Sequence, residues 1–255
     1  MTATASVALE ERYSPADLDV FTPGERRRFA PGAGADPRRD RGLAFELLYR
    51  LEPGLYARLA AAERLHPGII DWFPRHVSRI VEVGAGSGRL TLALADRCDK
   101  LVAVEPAAPM RPLLKSAVRE SGAGARVEVV DAFFDALPVE DGWADVTVTC
   151  SALTDEPAHG GEAGLLEMER VTRPGGMVVV VWPNHLRWLT DRGYTRVVFR
   201  GPAAMEFESL DEAVELARVF YPAAAAEVER RGKRVVPYAL LGVRGPRDLA
   251  YKVVA

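Results

Sequence analysis

The sequence has little cysteine, little net charge and no long apolar run. Two cysteines among 255 residues are too few for a disulfide framework, and their isolation gives no zinc-site spacing. A formal net charge of −3 excludes a strong overall attraction to nucleic acid or anionic lipid. The longest apolar stretches, such as 177–182, are far shorter than the roughly 20 residues that span a bilayer. Residues 1–10 lack the basic and apolar regions of a secretory signal, so we expect a cytoplasmic location.

What remains is the composition of a globular protein, with 48% hydrophobic and 27% charged residues. We expect residues 1–41, rich in Arg, Pro and Gly, to form a flexible arm. Acidic residues among its arginines favour a solvated tail over a nucleic-acid or acidic-partner site. Residues 42–255 are predicted to form a single domain. Its expected parts are a helical lid (42–75), a core (76–200), a helical insert (201–233), and a final strand with a tail (234–255).

Strands and helices alternate through the predicted core. The strands are continuous Val-rich runs, typical of a parallel sheet whose two faces are both covered by helices. The predicted strands are 79–83, 101–105, 126–130, 144–150, 177–182 and 195–199, followed by a last strand at 235–243. The predicted helices are 89–97, 110–121, 162–172, 185–191 and 210–231, the last interrupted at 221–222.

The most informative motif follows the first core strand and reads Glu-Val-Gly-Ala-Gly-Ser-Gly over residues 82–88. Glycine permits left-handed turns and a close approach of backbone to ligand, and a helix is predicted directly afterwards. Glu105 ends the second strand, where an acidic residue holds the ribose hydroxyls of a dinucleotide or of S-adenosylmethionine. A dinucleotide site requires G-x-G-x-x-G/A, whereas the sixth position here is Arg89. The pattern therefore disfavours a dinucleotide.

Further features favour S-adenosylmethionine. Glu82 places a carboxylate at the end of the first strand, and Asp131 ends the third strand, where it could accept a hydrogen bond from an adenine amine. Arg-Pro-Gly-Gly at 173–176 breaks a helix and starts the fifth strand.

In this order the motifs resemble class I S-adenosylmethionine-dependent methyltransferases of the methyltransferase type 11, ubiquinone/menaquinone-biosynthesis-like subgroup. The resemblance covers about residues 78–182. It implies an α/β fold with a Rossmann-like, doubly wound, seven-stranded and mostly parallel sheet that includes a late antiparallel strand. The matching segments are 82–88, 104–106 with Met110, 130–132, 144–146 and 166–176.

The resemblance also implies how S-adenosylmethionine would be bound. The glycine loop would approach the methionine moiety and ribose, with Glu82 holding that loop and the cofactor's amino group. Glu105 would bind both ribose hydroxyls, and Asp131 would accept from the adenine amine. The predicted cofactor-binding residues are Glu82, Gly84, Ala85, Gly86, Gly88, Glu105, Pro106, Met110, Asp131, Ala132, Phe133 and Ser151.

Catalysis is less defined, because many subgroup members carry a histidine pair after the fourth strand and residues 151–161 lack it. A general base assists methyl transfer when the acceptor must lose a proton. His185, after the fifth strand, is the best-placed candidate, with His159 and Asp155 behind it. The alternative for His185 is a solvent-facing or capping residue at a helix start.

Other chemistries have weaker sequence support. Asp155 and Asn184 are only two isolated oxygen ligands for a magnesium site of the catechol-methyltransferase kind, so no metal is expected. The absence of an Asn/Asp-Pro-Pro-aromatic motif after the fourth strand disfavours transfer to a base amine in nucleic acid.

We therefore expect methyl transfer to the oxygen, nitrogen or carbon of a small molecule. Two alternatives remain open. One is an S-adenosylmethionine-binding protein without methyl transfer, regulatory or catalysing a rearrangement, and the other is methylation of protein or RNA guided by the arginine-rich arm. The lid is a further hypothesis, because aromatic residues at helical spacing pack in a core more often than they line a pocket.

Overall fold

The computed structural model describes residues 7–255, which form two compact units. The first, called here the helical unit, comprises the residues through Arg64 together with Pro202–Gly245. The second, called the sheet unit, comprises Leu65–Gly201 and Pro246–Ala255. The expected lid, 42–75, therefore contributes to both units, and its closure over a cofactor stays a prediction.

A seven-stranded sheet forms the centre of the sheet unit, as predicted. Its strands are β1 (Val77–Val83), β2 (Cys98–Val104), β3 (Val127–Val130), β4 (Ala144–Cys150), β5 (Thr172–Val181), β6 (Thr195–Val198) and β9 (Asp248–Val253). The order across the sheet is β3-β2-β1-β4-β5-β9-β6. Strands β1 to β5 are parallel, and β9 is antiparallel to both β5 and β6.

Helices pack on both faces of this sheet. The helices of the sheet unit are α5 (Pro67–Trp72), α6 (Arg89–Leu94), α7 (Met110–Glu120), α8 (Gly161–Val171) and α9 (Leu186–Thr190). Val148 shares one apolar cluster with Leu90 of α6 and Leu114 of α7. Val180 shares the other with Met168 of α8. All five side chains are buried, and burying each such side chain contributes about 1.5–3 kcal/mol.

The strand order reverses direction at β1. The chain proceeds outwards from β1 through β2 to β3, and then returns to place β4 on the other side of β1. In parallel α/β sheets a ligand binds beyond the carboxyl ends of the strands at such a reversal. The carboxyl ends of β1 and β4 therefore mark the place where a site is expected.

The helical unit is built from short helices and one two-stranded sheet. Its helices are α1 (Leu9–Arg12), α2 (Pro23–Phe29), α3 (Arg41–Leu51), α4 (Pro53–Ala62), α10 (Leu210–Phe220) and α11 (Pro222–Arg231), with a 3-10 helix at Pro15–Val20. Strands β7 (Ala204–Glu206) and β8 (Val235–Pro237) pair antiparallel.

The prediction of a flexible arm over residues 1–41 is wrong for residues 9–41. Leu9 and Leu18 are buried there. Arg50 of α3 lies 4.9 Å from the ring centroid of Phe21 and 5.0 Å from that of Phe29. The contacts that hold this segment are aromatic and ionic rather than a run of apolar residues, so composition did not reveal them. Residues 1–6 of the expected arm lie outside the described residues.

The predicted last strand, 235–243, also needs correction. Only Val235–Pro237 is extended, and it pairs with β7 rather than with the large sheet. The antiparallel strand of the large sheet is β9 instead. Pro237 lacks an N–H for further pairing, and the residues after it turn. Strand β9 carries Asp248 and Lys252, which weakens the apolar signal in its sequence.

No helix among residues 7–255 is both long enough and apolar enough to cross a membrane.

Candidate active site

The glycine loop lies between β1 and α6 at the reversal point. Gly84, Gly86 and Gly88 have φ values of 73°, 58° and 100°, in the left-handed region that glycine adopts without strain. Gly84 N and Ala85 N donate to the Val104 carbonyl at 2.9 and 3.0 Å, which fixes the loop to the end of β2. A Cβ added to Gly84 would lie 2.6 Å from the Ala152 side chain, so this position requires glycine.

Glu82, at the end of β1, is buried beneath this loop. Its side chain accepts a hydrogen bond from the Thr91 hydroxyl of α6 at 2.5 Å, and the residue is 1% exposed. Burial raises the pKa of Glu82 to about 8, although the Thr91 hydrogen bond and the charge of Arg89 oppose this shift. Glu82 therefore joins β1 to the first turns of α6 and is mostly protonated at neutral pH.

Glu105 follows β2 and contacts the same loop. One carboxylate oxygen accepts from Gly86 N at 2.8 Å, and the other accepts from Ala107 N at 2.8 Å. The residue is 6% exposed. These two backbone amides orient the carboxylate toward the turn that carries the second glycine.

Arg111, in the first turns of α7, connects the ends of β2 and β3. Its guanidinium donates to the carbonyls of Glu105 and Pro106 at 3.0 and 2.8 Å. The same group lies 2.9 Å from the carboxylate of Asp131, whose side chain is 63% exposed. Arg111 thus fixes the loop that carries Glu105 relative to Asp131. Sequence reasoning missed it, because nothing in the local pattern distinguishes Arg111 from a solvated helix arginine.

Among the other predicted cofactor-binding residues after β2 and β3, Met110 is 1% exposed and belongs to the core. Ala132 and Phe133 are partly buried beyond the end of β3. Direct contact of these three residues and Pro106 with adenine stays a prediction.

The ends of β4 and β5 contribute the other side of the site. Ser151 and Trp182 directly follow these strands, and they are the two non-glycine residues with positive φ in the described chain, at 56° and 49°. Asn184 Nδ2 donates to the Ser151 carbonyl at 3.0 Å and so ties the two loops together.

His185 has a carboxylate partner that the sequence alone did not show. Its Nδ1 lies 2.8 Å from Asp155 Oδ1, and both side chains are about 40% exposed, at 41% and 40%. His159, in contrast, lies 3.8 Å from Glu156. The structure therefore pairs two of the three predicted base candidates and places the third in a separate contact.

The described residues contain no group of three or more His, Cys, Asp or Glu side chains arranged to hold a metal ion. Asp155 contacts His185, and Asn184 uses its amide nitrogen on Ser151.

Comparison with known proteins bears on this arrangement. The family model described as a methyltransferase domain matches residues 81–180. An uncharacterized methyltransferase of Mycobacterium tuberculosis is 30% identical over 164 residues, which are 61% of this chain and 60% of that protein. Ribosomal RNA small subunit methyltransferase A of Geobacter metallireducens is 47% identical over 62 residues, 24% of this chain and 21% of its own.

The match to the family model begins in β1 and ends in β5, so it contains the glycine loop, Glu105 and Asp131. The chain contains a class I S-adenosylmethionine-dependent methyltransferase domain. A solved chain from the complex that contains the Haloferax volcanii Trm112 methyltransferase activator shares the fold, with a TM-score of 0.50 and 15% identity over 79% of this chain and 91% of that one. The chain spans about 60% of the length of the mycobacterial relative.

The hydrogen-bond acceptors of the methyltransferase domain fit S-adenosylmethionine. Adenosine presents hydroxyl and amine hydrogens, and the tips of β2 and β3 present the carboxylates of Glu105 and Asp131 as acceptors. A carboxylate offers about four acceptor positions, and the amide bonds from Gly86 and Ala107 to Glu105 use two of them. The glycine loop contacts Glu105 and lies between the tips of β2 and β4, and Asp131 lies beyond β2 at the tip of β3.

Proposed function

We propose that the chain transfers the methyl group of S-adenosylmethionine to a protic group, a hydroxyl or an amine, on a small molecule. The observation that carries this proposal is the arrangement around β1. On one side, the carboxylates of Glu105 and Asp131, which can accept hydrogen bonds, lie at the tips of β2 and β3. On the other side, the His185–Asp155 pair lies in the loops after β4 and β5.

In this proposal the chain's own residues position the donor. Glu105 holds the ribose hydroxyls, Asp131 accepts from the adenine amine, and the loop from Gly84 to Gly88 leaves room for the amino-acid end. When bound, S-adenosylmethionine supplies a methyl group on a positively charged sulfur, so the leaving group needs no further activation. Alignment of donor and acceptor and exclusion of water then account for much of the catalysis.

His185 serves as the general base in this proposal. If Nδ1–H donates to Asp155, the lone pair of the neutral ring lies on Nε2 and can take a proton. As the bond from acceptor to methyl carbon forms, the carbon–sulfur bond breaks and its electron pair stays on sulfur. The acceptor's proton passes to Nε2, and Asp155 stabilises the resulting imidazolium.

The first test is binding. Calorimetric titration of the full chain with S-adenosylmethionine, S-adenosylhomocysteine and NAD should give heat for the first two and none for NAD. Glu105→Gln should weaken S-adenosylhomocysteine binding by about 10- to 100-fold, because hydrogen bonds to a charged group contribute about 1.5–3 kcal/mol. Glu128→Gln, an exposed carboxylate of β3 beyond the site, is the matched control and should change nothing.

The second test is transfer. Labelled S-adenosylmethionine, incubated with the chain and a metabolite extract, should pass its label to a small molecule and release S-adenosylhomocysteine. With that acceptor, His185→Gln should lower kcat about 10²- to 10⁴-fold. Asp155→Asn should lower it less and shift the pH profile. Binding without label transfer would favour the cofactor-binding alternative, and labelled protein or RNA would favour the other.

A further inference from the structure

Two separate loops carry the His185–Asp155 pair. Asp155 belongs to residues 151–160, called here the β4 loop, and His185 belongs to residues 182–185, called the β5 loop. The ladder of hydrogen bonds between β4 and β5 ends where these loops begin. The sheet therefore fixes the start of each loop, and contacts beyond the sheet decide how the two side chains meet.

Each loop has local order around the residue it contributes to the pair. In the β4 loop, Thr154 Oγ1 accepts from Glu156 N at 3.2 Å, and this turn encloses Asp155. In the β5 loop, the His185 carbonyl accepts from Leu189 N at 3.3 Å and begins α9. The His185 side chain makes no capping bond to that helix and contacts Asp155 instead.

The His185–Asp155 contact is too weak to hold the two loops in place by itself. The two side chains are 41% and 40% exposed. A pair this exposed contributes little net free energy, because water screens it and both side chains lose rotamer freedom. Ser151, which begins the β4 loop, also has a φ of 56°, which a non-glycine residue keeps only where its surroundings enforce it. The geometry of the pair therefore depends on a further contact between the loops.

Asn184 makes such a contact. Its Nδ2 donates to the Ser151 carbonyl at 3.0 Å, and it directly precedes His185 in the chain. Adjacent residues of the β5 loop thus bond to two points of the β4 loop, one at Ser151 and one at Asp155. A displacement of about 1 Å is enough to break a hydrogen bond, so release of Ser151 would separate His185 from its carboxylate.

We propose that Asn184 is a positioning residue, whose amide holds the β4 loop so that Asp155 keeps His185 in the Nδ1–H tautomer. In that tautomer the lone pair is on Nε2, which takes the acceptor's proton. This inference rests on the proposed function and assigns the residue that orients its base. Because Asn184 acts through His185, its replacement should change the tautomer of the ring as well as the rate.

The first experiment measures the tautomer in the full chain, without donor or acceptor. Nuclear magnetic resonance of the four histidines, labelled at the ring nitrogens, distinguishes protonated from unprotonated nitrogens when the rings are neutral. The His185 signals are identified by their loss in His185→Gln. Wild-type His185 should be mainly Nδ1–H. Asn184→Ala should raise the ratio of Nε2–H to Nδ1–H about 2- to 12-fold, as expected for the loss of one ordinary hydrogen bond. Asp155→Ala, which removes the partner itself, should raise it at least as much.

The second experiment measures transfer to the acceptor identified with the extract. Asn184→Ala should lower kcat about 2- to 12-fold. In the His185→Gln background, the same replacement should lower the residual kcat less than about 1.5-fold, because residues that act as a unit are not additive. Asn184→Gln, which keeps an amide donor on a longer side chain, should recover part of the lost rate.

Thr190→Val is the matched control. Thr190 Oγ1 donates to the Arg187 carbonyl at 2.9 Å, so it is also an exposed side chain bonded to a main-chain carbonyl, but within α9. Its replacement should leave the tautomer of His185 and kcat unchanged. The thermal midpoint of each variant is measured first, so that a loss of folding is recognised.

Three results would overturn the proposal. They are an Nε2–H tautomer in the wild-type chain, an unchanged tautomer in Asn184→Ala, and an equal loss of kcat from Asn184→Ala in both backgrounds. The last would give Asn184 a role separate from His185. The proposed function fails separately, if S-adenosylmethionine does not bind or no extract component takes the label. The tautomer measurement needs neither, so it still decides whether Asn184 positions His185.

Discussion

The two units bury carboxylates in different ways. In the helical unit, Glu46 accepts from the Arg50 guanidinium at 2.6 Å. In the sheet unit, Glu82 accepts from the hydroxyl of Thr91, and Glu105 accepts from two backbone amides. The guanidinium also reaches Glu25 and two aromatic rings, so it joins separate segments, whereas the amides orient a carboxylate on its own loop. The arginine contacts hold separate segments of the chain together, and the amide bonds position a functional carboxylate.

The distinction follows position as well as unit. Asp248 is a buried carboxylate of the sheet unit that pairs with Arg196 at 2.6 Å. It lies on β9, and Arg196 lies on β6 at the edge of the sheet, beyond β5. The buried carboxylates at the tips of β1 and β2 thus accept hydrogen bonds from a hydroxyl and from amides, and Asp248, toward the far edge, pairs with a guanidinium. Replacements in the two classes should therefore change different properties.

The largest effect is expected for Arg50→Met. The Arg50 side chain is 3% exposed and pairs with Glu46, which is buried, and with Glu25, which is partly buried, so its removal takes the cation from both carboxylates. We expect the free energy of unfolding, measured by urea denaturation of the full chain, to fall by about 3–5 kcal/mol. Arg230→Met is the control, because the Arg230 side chain is 71% exposed in its pair with Glu227, and it should leave stability nearly unchanged. Equal effects of the two would contradict the role assigned to Arg50.

Glu82→Gln, unlike Arg50→Met, is expected to gain stability relative to wild type as pH rises. The folded chain binds a proton at Glu82 more tightly than the unfolded chain does, because burial raises the pKa from 4.5 to about 8. The wild-type chain therefore loses stability as pH rises through that window, by at most about 1.4 kcal/mol per pH unit. Glu82→Gln removes this term, so its stability relative to wild type should increase by about 2 kcal/mol between about pH 5.5 and pH 7.5.

Urea denaturation at several pH values measures this difference, and subtraction cancels the other titrating groups. Glu128→Gln, an exposed carboxylate, should run parallel to wild type at every pH. If the difference in free energy of unfolding between Glu82→Gln and wild type does not change with pH, the assignment of a protonated Glu82 in the folded chain is wrong.

The contrast between the units also explains what the sequence could predict. Strands such as 144–150 are continuous apolar runs, so their existence and parallel packing follow from composition and spacing. Glu105 and Asp131 follow consecutive strands, and the carboxyl ends of parallel strands share one edge of a sheet. Their proximity to the glycine loop was therefore predictable before any coordinates.

The remaining features depend on contacts between residues far apart in the chain. Phe21 and Phe29 stand alone in an arginine-rich stretch, and only Arg50, on another helix, shows why they are ordered. Strand β9 looks polar in sequence, although Asp248 is buried by its pairing with Arg196. Local patterns carry no signal for such partners, because each is set by the tertiary fold.

An intermediate effect is expected for Arg111→Met, which tests whether positioning at the strand tips affects binding. Loss of its bonds to two carbonyls and to Asp131 should weaken S-adenosylhomocysteine binding about tenfold by calorimetry. Under the proposed function Arg111 acts at the adenosine end, so 5′-methylthioadenosine should lose the same factor. Arg119→Met, on the same helix and bonded only locally to Ser116 among the contacts described, is the control. If Arg111→Met changes the affinity for S-adenosylhomocysteine by less than about twofold, Arg111 does not contribute to the binding site.

The smallest effect concerns two threonines on one face of β4, both fully buried. The Thr147 hydroxyl lies 2.7 Å from that of Thr172, whereas the Thr149 hydroxyl has no hydrogen-bond partner among residues 7–255. A buried hydroxyl without a partner costs free energy, so Thr149→Val should raise the free energy of unfolding by about 0.5–1 kcal/mol. Thr147→Val should lower it by about 1 kcal/mol, because it removes a made bond. If both replacements destabilise the chain, the Thr149 hydroxyl has a hydrogen-bond partner outside the protein, a water or a ligand. The unpartnered hydroxyl is then not the reason for any difference between the two positions.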